Sequence, residues 1–252
     1  MARIVLTDEL WQQLQEVMKQ HGCYITKNTR TIMEAIIWKL RTGAPWRDIP
    51  EELVSWKTAY NRFNRWSGKW VMGAFFFSLR KEIDTEWVFI DGSYIRCHQH
   101  ACGARIGEPR AIGQSHGGRT TKIHLCCDAN GYPLNFKITG GEVHDSQAAP
   151  ELIELVDKAD YLIADKGYDS DSIRDKAREH SMKPVIPKRK NAKQPNPDFD
   201  SYLYKLRHLV ENMFARLKQF RSIATRYEKL ARNFESMLLS YAEETVEVNL
   251  VN

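Results

Sequence analysis

Nowhere in the 252 residues is there an uninterrupted apolar stretch approaching the roughly 18 that a membrane-spanning helix needs. The opening residues, MARIVLTDELWQQL, carry charge throughout in place of the apolar centre of a secretion signal. The reading is a soluble chain of the cytoplasm, with no membrane partner. Cysteine is scarce and odd in number, five in all, which speaks for reduced thiols over a disulfide framework. Low-complexity tracts are absent, and with 42% hydrophobic and 27% charged residues the composition excludes disorder as the default. A large excess of one charge is absent too. The formal net charge of +5, with a pI of about 8.9, is compatible with a polyanionic partner and proves none. The length suits one full α/β domain and a small satellite, at about 100–200 residues per domain.

Tryptophan, by contrast, is crowded at one end, six of the seven lying before residue 71. That stretch reads as helical, with Leu10, Leu14, Val17 and then Ile32, Ala35, Ile36, Leu40 at helical spacing. Thr42-Gly43-Ala44-Pro45 is a stop signal, and Ser55 is placed to cap a further helix, SWKTAYNRFNRWSGKW, studded with Lys57, Arg62, Arg65 and Lys69. A small helix-turn-helix-like domain over residues 1–82 fits this pattern. A helical cap with a solvated basic face fits it as well.

From Glu86 the period becomes strand-like. WVFIDGSYI is followed by TKIHLCCD and YPLNFKITG, which flank an Asn130-Gly131 hairpin signal. Helices are expected in SQAAPELIELVDKA and DSIRDKAREH, with buried strands YLIAD and KPVIP beside them. The expected order over residues 83–252 is βββαβαβα, an α/β domain with a mixed sheet. Gly103–Arg119 reads as a mobile basic loop, and a basic connection, PKRKNAKQPNP, precedes a last long helix expected from about Phe199 through Phe220 and beyond.

Asp91 ends the apolar strand WVFI and Asp165 ends YLIA. Sites of open α/β sheets lie at the carboxyl ends of strands, so the two could converge on one metal site, and oxygen-only clusters suit Mg²⁺ or Mn²⁺. Either aspartate alone is as easily a turn or cap residue. On a helix of about 100° per residue, Tyr204, Arg207, Glu211 and Lys218 fall within an arc of about 60°, and Leu206, Leu209, Met213, Leu217 and Phe220 lie nearly opposite. An ordinary i,i+4 ion pair on a solvated surface would also account for Arg207 and Glu211.

YKLRHLVENMFARLK resembles Y-x2-R-x3-E-x6-K, the signature around the catalytic glutamate of DDE transposases of the IS-four/IS-five type, and all four signature residues are present. FIDGSYI, GRTTKIHLCCDANGYPL, GGEVHDSQ and IADKGYDS resemble the blocks around the first two acids in IS-five-like members. The resemblance implies a ribonuclease-H-like fold, with Asp91, Asp165 and Glu211 as catalytic ligands of two divalent ions, Mg²⁺ or Mn²⁺, and Tyr204, Arg207 and Lys218 on the DNA end. Only 46 positions separate Asp165 from Glu211, too few for the β-rich insertion common in IS-four-like enzymes. The implied partners are double-stranded DNA, as terminal inverted repeats and as target, and a second copy of the chain on paired ends.

Lys183, Lys188, Arg189, Lys190 and Lys193, with Arg216, Lys218, Arg221 and Arg226, are expected to supply a sequence-independent grip on DNA, and the N-terminal helices, through Arg62 and Arg65, to read the repeats. Cys97, His98, His100 and Cys102 suggest zinc but are too crowded for a usual structural site. Cys126 and Cys127 read as small core residues and Asp128 as part of the hairpin turn. Glu142, His144 and Asp145 could line the site, or Asp145 could cap the next helix. Two other functions fit part of the pattern: a DNA-binding regulator without chemistry, and a nuclease that cuts without joining.

Overall fold

The computed structural model describes residues 4–78, 83–103, 110–192, 195–197 and 199–242. Lys193 and residues 104–109 of the Gly103–Arg119 segment lie outside the described residues. The chain divides into two compact units, one of Met1–Lys81, Gly103–Pro109 and Leu217–Asn252, the other of Glu82–Cys102 and Arg110–Arg216.

The first unit is helical. α1 (Asp8–Gln20) starts at Thr7, whose hydroxyl accepts from the Leu10 N–H, and α2 (Thr29–Thr42) ends on Gly43, whose φ of 61° lies in the left-handed region. α3 (Trp56–Gly68) starts on Ser55, whose hydroxyl accepts from the Thr58 N–H, and α4 (Val71–Ser78) follows. The expected stop and cap are both present. The α2 to α3 connection, residues 43–55 with a 3₁₀ turn at Trp46–Asp48, is longer than the 3–4-residue turn of a compact helix-turn-helix. Trp38, Trp46 and Trp56 pack around Ala35, Ile49 and Ala59, which explains the crowding of tryptophan in this segment. Polar ties close the unit. The buried Glu34 carboxylate accepts from the Val5 and Leu6 N–H groups, and Trp46 Nε1–H donates to Glu228.

The second unit is built on a sheet of β1 (Trp87–Cys97), β2 (Gly113–Ser115), β3 (Gly118–Cys127), β4 (Pro133–Gly140), β5 (Tyr161–Ala164) and β6 (Lys183–Val185). β1 is central. It pairs antiparallel with β3, from Phe89 opposite Cys127 to Arg96 opposite Thr120, and parallel with β5, from Trp87 opposite Tyr161 to Ile90 opposite Ala164. β6 adds parallel to β5, and the far edge of β3 is shared, β2 lying along Gly118–Thr120 and β4 along Thr121–Cys127. Antiparallel strands on one side of β1 and parallel strands on the other make the ribonuclease-H-like order expected. β2 is new: residues 113–115 and 118–119 form a hairpin where the sequence suggests only loop.

α5 (Asp145–Glu154) and α6 (Asp171–Glu179) cover one face, burying Val88, Ile90, Cys126, Leu162 and Ala164 against Ala149, Leu152, Ile153, Ile173 and Ala177. The alternate residues Phe89, Leu125 and Ile163 are buried on the other face. Because side chains alternate, Asp91 and Asp165 belong to that second face.

The long C-terminal helix expected from the sequence is broken into α7 (Ser201–Lys205), α8 (His208–Leu217) and α9 (Arg221–Ala224), with α10 (Ala231–Ala242) beyond. At the first break the chain stays right-handed but tightens. The N–H groups of Leu206, Arg207 and Leu209 donate to carbonyls three residues back at 3.0, 3.2 and 2.9 Å. A single 3₁₀ turn barely disturbs an apolar pattern read over 20 residues, so periodicity could not reveal it.

Candidate active site

β1 carries Asp91 into the middle of the sheet, where the Gly92 N–H donates to Asp91 Oδ1 at 2.9 Å. Asp165 follows β5 directly and caps a 3₁₀ turn, Lys166–Tyr168, with Oδ1 accepting from the Gly167 N–H at 2.7 Å. Both aspartates thus act as local turn or cap acceptors through one oxygen, and each keeps a second oxygen for the site. Asp200 caps α7, accepting from Tyr202 N–H at 2.9 Å and Leu203 N–H at 3.0 Å, and so starts the segment that carries Tyr204, Arg207 and Glu211.

Arg207 joins these elements. Its Nη1 donates to Asp91 Oδ2 at 2.9 Å and its Nη2 to Glu211 Oε1. The surface i,i+4 pair is real but is half of a larger clamp. Burial works against the guanidinium charge, yet Asp91 and Glu211, with Tyr204 and Asp165, more than offset it and raise the Arg207 pKa. Asp91 is pushed upward by burial, partly countered by Arg207 and the Gly92 N–H and reinforced by the nearby negative charge of Asp165. The Tyr168 hydroxyl is buried with no hydrogen-bond partner among the described residues, and burial together with Asp145, Asp91 and Asp165 drives its pKa well above the ordinary value.

Among the described residues, no three His, Cys, Asp or Glu side chains stand close enough to share one metal ion. Between Asp91 and Glu211 the cation present is the guanidinium of Arg207. The donors are all carboxylate oxygens, the set suited to a hard dication, and Arg207 marks where positive charge is wanted. Residues Cys97, His98, His100 and Cys102 form no such group either. The rings of His98 and His100 meet edge to face at 4.6 Å, and Cys102 Sγ–H points to the His98 carbonyl at 3.8 Å.

The reverse face of β1 carries a network that the sequence reading missed. Lys122 of β3, with its side chain 4% exposed, donates to Asp145 Oδ2 at 2.6 Å, and His124 Nδ1 stands 3.3 Å from Asp145 Oδ1. His144 is the N-cap of α5, its Nδ1 accepting from Ser146 N–H at 3.2 Å, so Asp145 is not the cap. The ammonium of Lys122 draws Asp145 inward instead. Gly92 makes room for it: a Cβ there would lie 2.0 Å from Asp145 Oδ1. A lysine and a histidine at alternate positions, Lys122 and His124, with Ile123, Leu125, Cys126 and Cys127 between and after them, were the available signal.

The basic connection is held near the second acid. Asp169 accepts from Arg174 Nη2 at 2.8 Å and from the Arg189 N–H at 2.9 Å, with Lys188 Nζ 3.7 Å away, and Arg189 Nη2 donates to the Gly167 carbonyl at 3.4 Å. Lys190 is exposed. Tyr204 packs its ring against Phe199 at 5.3 Å. Lys218 is exposed and belongs, like Arg62 and Arg65, to the helical unit. There Arg62 lies over the Trp66 ring at 5.7 Å and Lys69 donates to the Gly22 carbonyl at 2.6 Å, leaving Arg65 exposed. Cys126 and Cys127 are buried strand residues, burial pushing the Cys126 thiol up to about 12. Asp128 orders the hairpin turn, accepting from the Asn130 and Tyr132 N–H groups.

The ribonuclease-H-like sheet presents Asp91 and Asp165 from neighbouring strands, and the turn between α7 and α8 and the first turn of α8 bring Arg207 and Glu211 to Asp91. Residues 83–242 match the family model described as Transposase DDE domain, and the chain belongs to that family. Residues 6–76 match the DUF4096 model, whose description assigns it provisionally to transposases of the IS4/5 family. An uncharacterized protein, y4sN, of Sinorhizobium fredii is 40% identical over 78 residues, 31% of this chain and 62% of that one. A protein of Brucella ovis, provisionally named a transposase for insertion sequence element IS6501, is 36% identical over 115 residues, 46% of this chain and 88% of that one. The transposase for insertion sequence element IS1106 of Neisseria meningitidis serogroup B is 32% identical over 111 residues, 42% of this chain and 38% of that one. The alignments therefore span less than two thirds of the first and last of these relatives. A chain of the Mos1 transposase paired-end complex with left transposon end aligns over 88% of this chain and 79% of that one, at 12% identity and a TM-score of 0.28, too low to argue from.

Proposed function

We propose that this chain binds the terminal inverted repeats of an insertion sequence and cuts and joins DNA at their ends with two divalent ions, Mg²⁺ or Mn²⁺. The observation that carries this reading is the Arg207 clamp, which ties Asp91 of β1 to Glu211 of α8 with Asp165 acting on the same guanidinium. Asp91, Asp165 and Glu211 would hold the ions, which when bound activate an attacking water or 3′-hydroxyl and stabilise the leaving oxygen. Asp91 and Asp165 enter that role with one oxygen each fixed by a backbone N–H, which orients the other oxygen in advance, Asp91 Oδ2 being held by Arg207 until that guanidinium leaves. Arg207, released from the carboxylates, presents a planar fork for bidentate contact with a phosphate, with Tyr204 beside it; Lys218, of the helical unit, would meet the DNA on its own as a point charge. Residues 1–82 would read the repeats with Arg62 and Arg65, and 83–252 would form the catalytic domain, although residues from Leu217 onward cluster with the helical unit, with Lys188, Arg189 and Lys190 adding phosphate contacts. We propose a homodimer on paired ends in the bacterial cytoplasm.

The test is nicking of DNA carrying the inverted repeats that flank the coding region, with Mg²⁺ or Mn²⁺. Asp91→Ala, Asp165→Ala and Glu211→Ala should each abolish nicking while binding the repeat within a few-fold of wild type. Nicking at the wild-type rate by any of the three removes that residue from the site.

A further inference from the structure

Arg189 belongs to the basic connection, yet its side chain is turned back onto the loop of the second acid. Its Nε and Nη2 donate to the carbonyls of Lys166 and Gly167, each at 3.4 Å. Those residues open the 3₁₀ turn that Asp165 caps, and the Gly167 N–H holds Asp165 Oδ1 at 2.7 Å. The Lys166 carbonyl and the Gly167 N–H are the two ends of one peptide group. Arg189 and Asp165 are therefore bonded to opposite ends of the same rigid plane. The turn lies so close to the carboxylate that a Cβ on Gly167 would meet Asp165 Oδ1 at 2.8 Å.

The arginine is anchored at its own backbone. Its N–H donates to Asp169 Oδ2 at 2.9 Å, while Asp169 Oδ1 accepts from Arg174 Nε at 3.2 Å and Nη2 at 2.8 Å. Arg174 Nη2 also donates to the Ile186 carbonyl at 2.8 Å, and the Arg174 and Asp169 side chains are only 6% and 7% exposed. Through this buried pair α6 fastens the chain leaving β6 to the end of the turn. A guanidinium has donors on more than one edge. The Nε and Nη2 edge of Arg189 faces the turn, and Nη1, on an exposed residue, has no partner among the described residues.

We infer that Arg189 is a positioning residue for Asp165: one edge of its guanidinium holds the Lys166–Gly167 peptide, Nη1 takes a phosphate of the bound DNA, and Asp169 anchors the residue between them. The inference rests on the DNA reading above and deepens it, since Arg189 becomes a bridge from the DNA backbone to the second acid. Because the peptide is planar, a pull on its oxygen reorients its N–H, and donation to the carbonyl strengthens the N–H bond to the carboxylate. Bonds of 3.4 Å are long and have room to shorten when a phosphate seats the fork. A lysine supplies the same charge but no fork, so it can meet the phosphate without holding the turn.

The experiment compares wild type with Arg189→Lys and Arg189→Gln. Affinity for repeat-end DNA and its salt dependence are read by fluorescence anisotropy, and nicking is resolved into kcat and KM. Mn²⁺ binding is read by EPR on complexes with a pre-cut repeat end lacking its 3′-hydroxyl, the titration of DNA alone being subtracted. Arg189→Lys should unfold with the wild-type Tm and bind the repeat within a few-fold of wild type at the same salt slope, because the charge stays. Its complex should hold Mn²⁺ about 10- to 100-fold more weakly and its kcat should fall by a similar factor at unchanged KM, the usual cost of losing a group that orients a metal ligand. Arg189→Gln should show the same loss of Mn²⁺ affinity and a salt slope lower by about one ion. Wild-type Mn²⁺ affinity or wild-type kcat in Arg189→Lys, or a loss that follows only the fraction of protein folded, overturns the inference and leaves the DNA reading intact. Failure of wild type to bind or nick the repeat overturns both.

Discussion

Replacing Asp145 by Asn should unfold the sheet unit more readily than any surface change. Lys122, with its side chain 4% exposed, would then lose its counter-charge and keep neutral partners, the new amide oxygen and the Tyr94 ring and hydroxyl. Removing one member of a buried pair costs about 3–5 kcal/mol, and because Asp145 is 23% exposed the lower end applies, about 3 kcal/mol. For a chain of this size that is a fall in Tm of about 6–12 °C. Lys122→Met should cost less, since Asp145 keeps His124 and partial hydration, and Asp145→Asn combined with Lys122→Met should cost well below the sum, with a coupling of about 1–3 kcal/mol. The dependence on pH follows from the carboxyl. Burial pushes Asp145 up, but hydrogen bonds and charge from His124 and Lys122 outweigh it, leaving its pKa below the ordinary 3.8. A depressed folded-state value stabilises above the ordinary pKa, so the gap between wild type and Asp145→Asn should be constant near neutrality and shrink as pH falls below 3.8. Thermal unfolding of the four proteins across pH measures this. Effects that add within about 0.5 kcal/mol would refute the pairing as a source of stability.

Gly92→Ala puts a Cβ 2.0 Å from Asp145 Oδ1 and 3.1 Å from Lys122 Cε, so a loss of about 1–3 kcal/mol and of nicking is expected; unchanged unfolding would show that Asp145 moves freely. Asp200→Ala removes the cap of α7 and should cost about 1 kcal/mol in denaturant titration, with a larger proportional fall in nicking because Tyr204, Arg207 and Glu211 follow from that turn. Asp169→Ala leaves the buried Arg174 guanidinium, among the described residues, with the Ile186 carbonyl alone and frees Lys188 and the Arg189 N–H, so about 3 kcal/mol of destabilisation should appear in thermal unfolding. Binding of repeat DNA should fall steeply between low and moderate salt, and a flat response in anisotropy would exclude a phosphate-dominated interface.

Much of the fold could be read from local chemistry. Ser55 and Gly43 do at the ends of α3 and α2 what their types suggest, and the apolar runs around Phe89, Leu125 and Ile163 form the strands expected. Asp91 and Asp165 were legible because each follows an apolar run, although β1 does not end at Asp91 but continues to Cys97, and Glu211 because it stands four residues from Arg207. What escaped the sequence depends on contacts between distant residues or on short polar segments. Lys122 and Asp145 are paired across a hairpin and a loop, so no spacing rule links them. β2 is three residues, Gly113–Ser115, without a β-branched or aromatic side chain, and forms because β3 offers it an edge. The turn at Leu206 and Arg207 answers to Asp91, a residue on another element.

The most direct test of the central claim is strand joining: a pre-nicked repeat end with a free 3′-hydroxyl, a supercoiled target and Mg²⁺, comparing wild type with Glu211→Gln, which keeps the size of the side chain and its place beside Arg207. Covalent joining of the repeat end to the target by wild type, lost in Glu211→Gln while repeat binding persists, is the predicted result. Joining by Glu211→Gln at the wild-type rate, or repeat binding by wild type with no joining in Mg²⁺ or Mn²⁺, would contradict it.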